Sequence, residues 1–285
     1  MVSWPDLGTR VTVRYRRPAG SVPPLTDAVG HLLAVAPLVR VRTKSGRVVQ
    51  FSPADVVAVR ALTDAPVRTS QIRALEHAAA LARPGLERQW LDGWLLRAAP
   101  GADIESNSAV LLDVSASLAT VPAIVDWYAQ RRLTPLLAVA DRLLRLTDPG
   151  VHAHRMLVRG VSTAEPDPAV RLTASPDDDW LRCYHRAEPV EVLTTVLDGE
   201  LAFGTHDHAA ARATVTNAPD GTRWVGLSAI SDERLCEALL AWGATRGATR
   251  GYVRVLDDDH AAGSLLESLG FTAHHRGRYL DVHTL

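Results

Sequence analysis

The stretch from Thr222 to Phe271, TRWVGLSAISDERLCEALLAWGATRGATRGYVRVLDDDHAAGSLLESLGF, decides the fold. Thr222 to Ile230 reads as a strand around Trp224. Ser231 to Gly247 reads as a helix, with Ser231 or Asp232 as its cap and Leu235, Leu239 and Trp242 as its buried stripe. A second strand is expected from Thr249 to Leu256 and a second helix from Asp259 to Gly270. Phe271 to Leu280 follows as a final strand.

Working upstream, a helix holding Trp180, Leu181 and Tyr184 starts near Asp177, with Ser175 or Asp177 as cap. Strands follow at Glu200 to Thr205 and Ala209 to Thr216. The turn from Asn217 to Gly221 joins the second of these to the Trp224 strand. Further back, Ser70 to Ala82 reads as a helix capped by Ser70. Asp92-Gly93 marks a two-residue hairpin turn within Gln89 to Arg97, and another helix carries Trp127-Tyr128.

The order of two helices, three antiparallel strands, then helix and strand in alternation resembles the GNAT superfamily of N-acyltransferases. The resemblance implies an α/β (α+β) fold with a mixed sheet flanked by helices. It implies an acetyl-CoA substrate held where two parallel strands splay apart, its pyrophosphate resting on the start of the following helix. Unpaired N–H groups and the positive dipole end attract anions there.

The main chain of Leu227, Ser228, Ala229 and Ile230 would grip the pantetheine arm. Arg234, Leu235, Cys236 and Glu237 would stand at the phosphate-binding helix start, and Asp259, Ala262 and Leu266 on the second helix. In the family the phosphate loop is rich in glycine. Here Ser231, Arg234 and Cys236 occupy its signature positions, and Asp232 and Glu233 put two carboxylates beside a pyrophosphate, a repulsion of roughly 1 to 4 kcal/mol. Leu266 stands where the family usually carries the tyrosine that protonates the departing thiolate.

By the same resemblance residues 63–160 form a degenerate first GNAT-like half and residues 161–285 the acetyltransferase domain proper. The first 62 residues hold closely spaced short strands at Thr9 to Arg16, Asp27 to Val35, Leu38 to Thr43, Arg47 to Phe51 and Val56 to Ala61. Lys44-Ser45-Gly46 and Ser52 to Asp55 serve as turns. The pattern is similar to the SH3-like β-barrel that precedes some actinobacterial GNAT proteins. Thr63 to Thr69 reads as a linker.

Composition narrows the class. With 285 residues and 47% hydrophobic content the chain can bury more than one core. It has no apolar run of 18 residues and no signal-peptide pattern, so a cytoplasmic protein with no membrane partner is expected. Cys183 and Cys236 are far apart and lack ligand spacing. Residues 1–62 carry nine Lys/Arg against three Asp, a net charge of +6, leaving −7 for the remainder. That asymmetry raises nucleic acid as a partner, but its size favours a solvated surface.

No catalytic residue follows from the sequence. Glu191, Asp198 and Glu200, with Tyr184 and His185, lie in the region that usually shapes the acceptor pocket. His206 with His208, and His152 with His154, are spaced to share a strand face but lack a third metal ligand. The sequence thus supports an N-acyltransferase moving acetyl from acetyl-CoA to a primary amine of unknown identity, small molecule or protein. The alternative is a GNAT-fold binding or regulatory module without activity.

Overall fold

The computed structural model describes residues 4–5, 7–43, 45–62, 67–144, 147–162, 165, 167–184 and 188–284. Lys44, most of the expected linker and His185 lie outside the described residues. The chain divides into two compact units, residues 1–66 and 67–285.

The first unit is an antiparallel sheet of β1 (Arg10–Arg16), β2 (Leu25–Ala34), β3 (Val39–Thr43), β4 (Val48–Phe51) and β5 (Val56–Ala61), in the order β4-β3-β2-β1-β5. Alternation builds its core: Val11, Val13, Val39 and Val41 point inward, and Arg14, Arg40 and Arg42 point out. Tyr15 stacks on Phe51 at 3.9 Å. Ser52 Oγ accepts the Ala54 N–H at 3.2 Å, which tightens the expected turn.

The second unit begins with α1 (Thr69–Ala82), β6 (Glu87–Leu91), β7 (Trp94–Ala98), β8 (Ala109–Leu111), α2 (Val121–Ala129) and β9 (Leu136–Ala140). It continues with β10 (Val151–Gly160), β11 (Arg171–Thr173), α3 (Asp178–Cys183), α4 (Val190–Leu193), β12 (Glu200–His206) and β13 (Ala209–Asn217). It ends with β14 (Arg223–Ser228), α5 (Glu233–Thr245), β15 (Arg250–Leu256), α6 (His260–Ser268) and β16 (Thr272–Asp281).

Among the described residues these strands form one sheet of eleven, in the order β11-β12-β13-β14-β15-β10-β16-β9-β8-β7-β6. The two parallel pairs, β14 with β15 and β8 with β9, sit at equivalent places on either side of the central β10–β16 pair. Each is bridged by a helix, α5 or α2, because parallel neighbours need a crossover. The halves also trade strands: β10 pairs with β15, and β16, the last strand, pairs with β9. The sheet therefore holds two related halves sewn together at its centre.

The equivalent place in the first half is closed. Beyond Leu111 the Leu112 and Asp113 N–H groups both donate to Gly93 O, at 3.1 and 3.0 Å, which folds the chain back against the β6–β7 hairpin. Ala116, Leu143 and Leu144 pack against the apolar cluster of Trp94, Leu111, Ile124 and Val139. These three are partly buried, so each leucine contributes less than the roughly 1.5–3 kcal/mol of a fully buried large side chain, and together they fill the wedge.

Two local readings are corrected, the cap of α1 and the His206–His208 pair, and one left open between two residues, the cap of α3, is resolved. The cap of α1 is Arg68, whose N–H donates to Gln71 Oε1 at 2.9 Å, and Ser70 falls within the first turn. Asp177 rather than Ser175 caps α3, accepting the Trp180 N–H at 2.9 Å. His206 ends β12 whereas His208 lies in the following turn, where Asp207 has φ +50°, so the two do not share a strand face.

Candidate functional site

The site arises where β14 and β15 part. Their parallel register runs from Trp224 opposite Arg250 to Leu227 opposite Val253 and then stops, although β15 continues to Leu256. The chain leaves β14 through Ala229, an alanine at φ +61°. This left-handed conformation costs a non-glycine residue roughly 1–2 kcal/mol. Close packing fixes the helix that follows: a Cβ on Gly243 of α5 would lie 2.6 Å from Val225 Cβ of β14.

The opening is a cavity of about 930 Å³. Ala229, Ile230, Val253, Val255, Leu256, Ala262 and Leu266 supply apolar wall, and Tyr184, Glu188, Arg254 and Asp259 supply polar groups. The first half also reaches in, through Gly101 to Glu105 on the loop between β7 and β8. Asn107 holds that loop in shape: its Oδ1 accepts the Ala99 N–H at 2.7 Å, and its amide donates to the carbonyls of Ala99, Ala102 and Asp103. Asp103 Oδ1 accepts the N–H groups of Glu105 and Ser106 at 3.0 and 3.3 Å.

Charge is concentrated at the inner end. The Arg83 guanidinium donates to Glu188 Oε1 at 2.7 Å and to Ser228 Oγ at 3.4 Å, and lies 3.6 Å from Glu105 and 3.9 Å from Asp103. Tyr184 donates its hydroxyl to Glu188 Oε2 at 2.7 Å, and burial pushes its pKa up to about 12. Burial, aided by the neighbouring Glu105 charge and opposed by Arg83, lifts the Asp103 carboxyl to about 6.

Behind β14 lies a small polar chamber lined by Arg83, Arg97, Arg212 and Arg254. Arg97 and Arg212 spend their N–H groups largely on carbonyls, Arg212 on those of Leu193, Ala82 and Thr195. Burial beside Arg83 lowers the Arg212 pKa to about 9.

The expected contact residues separate into two groups. Ala229, Ile230, Asp259, Ala262 and Leu266 line the cavity; Leu227 and Ser228 stand just behind it, in the chamber wall. The helix-start residues do not line it. Leu235 and Cys236 are fully buried in the core beneath α5, and burial pushes the Cys236 thiol up to about 12. Glu237 pairs with Arg159 at 2.6 Å, and Arg234 with Asp167 at 3.4 Å.

The tip of α5 carries its own carboxylate. Asp232 Oδ1 accepts the Leu235 N–H at 2.7 Å and lies 3.1 Å from His206 Nδ1.

Of the acidic residues expected near the acceptor, Glu200 bridges Arg223 and Arg246 on the surface, and Glu191 lies in α4. Glu188, Asp103, Glu105 and Arg83 were not singled out by sequence reading. They come from three places in the chain without a motif: Arg83 after α1, Asp103 and Glu105 on the loop between β7 and β8, and Glu188 after α3. His152 and His208 line the cavity, whereas His154 is buried against Tyr279. Among the described residues no group of three His, Cys, Asp or Glu side chains is placed to hold a metal ion, and no helix is long and apolar enough to cross a membrane.

A mixed sheet whose parallel strands part over a cavity, with a helix crossing between them, is the arrangement that the sequence resemblance implied. Residues 69–280 match the family described as probable histone acetyltransferase Rv0428c C-terminal, and residues 5–60 the one described as Rv0428c N-terminal Sm-like domain. The small unit expected to be SH3-like thus matches a family described as Sm-like.

The probable histone acetyltransferase Rv0428c of Mycobacterium tuberculosis (strain ATCC 25618 / H37Rv) is 62% identical, covering 100% of this chain and 98% of its own. The chain belongs to this Rv0428c family of acetyltransferases. Two solved structures are also similar. A GCN5-related N-acetyltransferase from Kribbella flavida has 12% identity, 75% of this chain and 95% of that one covered, and a TM-score of 0.45. A GCN5-related N-acetyltransferase from Sphaerobacter thermophilus has 12% identity, 75% and 93% covered, and a TM-score of 0.37.

Proposed function

We propose that this chain transfers an acetyl group from acetyl-CoA to a primary amine by direct attack of the amine on the thioester. The observation that carries the reading is the parting of β14 and β15 beyond Leu227 and Val253, over a cavity with apolar walls and a polar inner end. The walls suit a pantetheine arm. The main chain from Ser228 to Ile230, turned by the left-handed Ala229, offers polar groups beside the place where a thioester would lie. The mycobacterial relative is named a probable histone acetyltransferase, and on that ground we take a protein lysine as the acceptor class. Calorimetric titration of the whole chain with acetyl-CoA tests the reading. Saturable binding is expected, and no heat at millimolar ligand would overturn it.

The second reading, a GNAT-fold binding or regulatory module that has lost cofactor binding, is favoured by one observation. Asp232 already occupies the start of α5, where a diphosphate would otherwise be welcomed. The same titration separates the two.

A further inference from the structure

We propose that Asp103, carried by the first half, is the base that takes the proton from a cationic amine in the cleft of the second half. The inference rests on the acetyl-transfer reading above and adds to it a residue, a role and the charge of the acceptor. The cavity itself points to a cation: among the described residues four carboxylates line it, on Asp103, Glu105, Glu188 and Asp259, against the guanidinium of Arg254 in the wall and that of Arg83 behind it.

Geometry separates Asp103 from its neighbours. Glu188 has one oxygen on Arg83 at 2.7 Å and the other on the Tyr184 hydroxyl at 2.7 Å, and its side chain is only 2% exposed. It cannot accept a proton without breaking a buried ion pair. Glu105 is held between Arg83 at 3.6 Å and Arg254 at 4.0 Å. Asp103 differs. Its Oδ1 is used to shape its own loop, and its Oδ2, 3.9 Å from Arg83, makes no hydrogen bond among the described residues. The side chain is 29% exposed and faces the cavity. The same guanidinium reaches Ser228, so this carboxylate and the end of β14 stand one guanidinium apart.

The groups around Asp103 are Arg83 at the end of α1, Glu105 on its own loop, Glu188 and Tyr184 after α3, Arg254 on β15 and Tyr279 on β16. Their balance, dominated by burial, holds the carboxyl near 6, so it is ionised at neutral pH yet more basic than an ordinary carboxylate.

The step balances without another reactant. Asp103 removes one proton from the ammonium, and the freed nitrogen lone pair forms a bond to the thioester carbon. The C–S bond then breaks and the thiolate leaves with its electron pair. The second proton lost by the nitrogen neutralises the thiolate, which accounts for the absence of a donor at Leu266. Asp103 finally gives its proton to water.

The test compares the whole chain with Asp103→Asn, which preserves an oxygen for the Glu105 and Ser106 N–H groups. Two acceptor probes are used: N-α-acetyl-lysine amide, an ammonium at pH 7.5, and a primary alkoxyamine, already neutral there. The variant is expected to bind acetyl-CoA as the wild type does. It should lose about 10²-fold or more in kcat/KM for the lysine probe and less than about threefold for the alkoxyamine. Equal losses with both probes, or none with either, would overturn the role of Asp103.

Wild-type kcat/KM for the lysine probe should also fall below an inflection near pH 6, and the alkoxyamine profile should lack that limb. A lysine profile without it overturns the proposal even if the variant does not fold. Absence of acetyl-CoA binding by the wild type removes the transfer reading itself and this inference with it. Normal binding with an unaffected variant removes Asp103 alone.

Discussion

Arg83 donates to Glu188 at 2.7 Å across 105 residues of chain, fastening the end of α1 to the segment that follows α3. Both side chains are nearly inaccessible, 7% and 2% exposed, and Asp103 and Glu105 share the same guanidinium. Removing one partner of a buried pair leaves the other without compensation. Arg83→Met is therefore expected to lower stability by about 3–5 kcal/mol, read as a fall in the urea midpoint at constant slope. A loss below about 1 kcal/mol would mean that the pair behaves like a surface contact.

The tip of α5 offers a separation of cap from charge. Asp232 caps the helix through Leu235, and the same carboxylate stands where a diphosphate would be drawn. Asp232→Ala is expected to cost about 1 kcal/mol of stability through loss of the cap. Asp232→Asn retains a capping oxygen while removing the charge. If acetyl-CoA binds as proposed, relief of about 1 kcal/mol of repulsion should tighten its Kd about fivefold. Unchanged affinity in calorimetry would place the diphosphate elsewhere.

What the sequence made legible was local and periodic. The α5 stripe of Leu235, Leu239 and Trp242 is buried as its spacing requires, and Asp92-Gly93 turns the β6–β7 hairpin with φ of +45° and +85°. The strand exchange at the centre of the sheet was not legible. In β10, Arg155 pairs with Glu267 and Arg159 with Glu237, while His154 is buried against Tyr279. Charged side chains with distant partners blur the alternation that marks a strand. The acidic inner end escaped for a related reason. Arg83, Asp103, Glu105 and Glu188 meet only because the first half leans a loop over the second, and no spacing encodes that meeting.

Ala229 carries the backbone strain of the site, and glycine would relieve it. At φ +61° its Cβ opposes the turn that takes the chain away from β14. Ala229→Gly is expected to raise stability by up to about 1 kcal/mol, since relief of the left-handed strain exceeds the added freedom of the unfolded chain. Ala229→Val should lower it by about 1–2 kcal/mol, because a β-branched residue is least tolerant of this conformation. Thermal unfolding of the two variants gives the comparison; shifts of the same sign would show that the strain is absent in solution.

The buried histidines give stability a pH dependence of definite sign. Burial, with Arg254 nearby, lowers the His154 pKa to about 4. Burial, with His275 and Arg250, lowers that of His274 to about 4 as well. The unfolded chain takes up these protons near the ordinary value of 6.5, so the stability they contribute is present above that pH and is lost as it falls towards 4. Asp103 works the other way. Its carboxyl, raised to about 6, adds stability below about 4 that is lost as pH rises through 6, so acidification regains part of it. Glu76, held down at about 2 against its burial by His275 and Arg254, loses its contribution only below the ordinary carboxylate range. Between pH 7 and 5 each histidine costs up to about 2 kcal/mol and Asp103 offsets about 1, so a net loss of about 2 kcal/mol or more is expected. Urea midpoints measured across that interval should fall, and His154→Phe should shrink the fall by about two-thirds or more. A midpoint that holds steady from pH 7 to 5 would mean that water reaches these rings and that the centre of the sheet is less tightly closed than β10 and β16 make it.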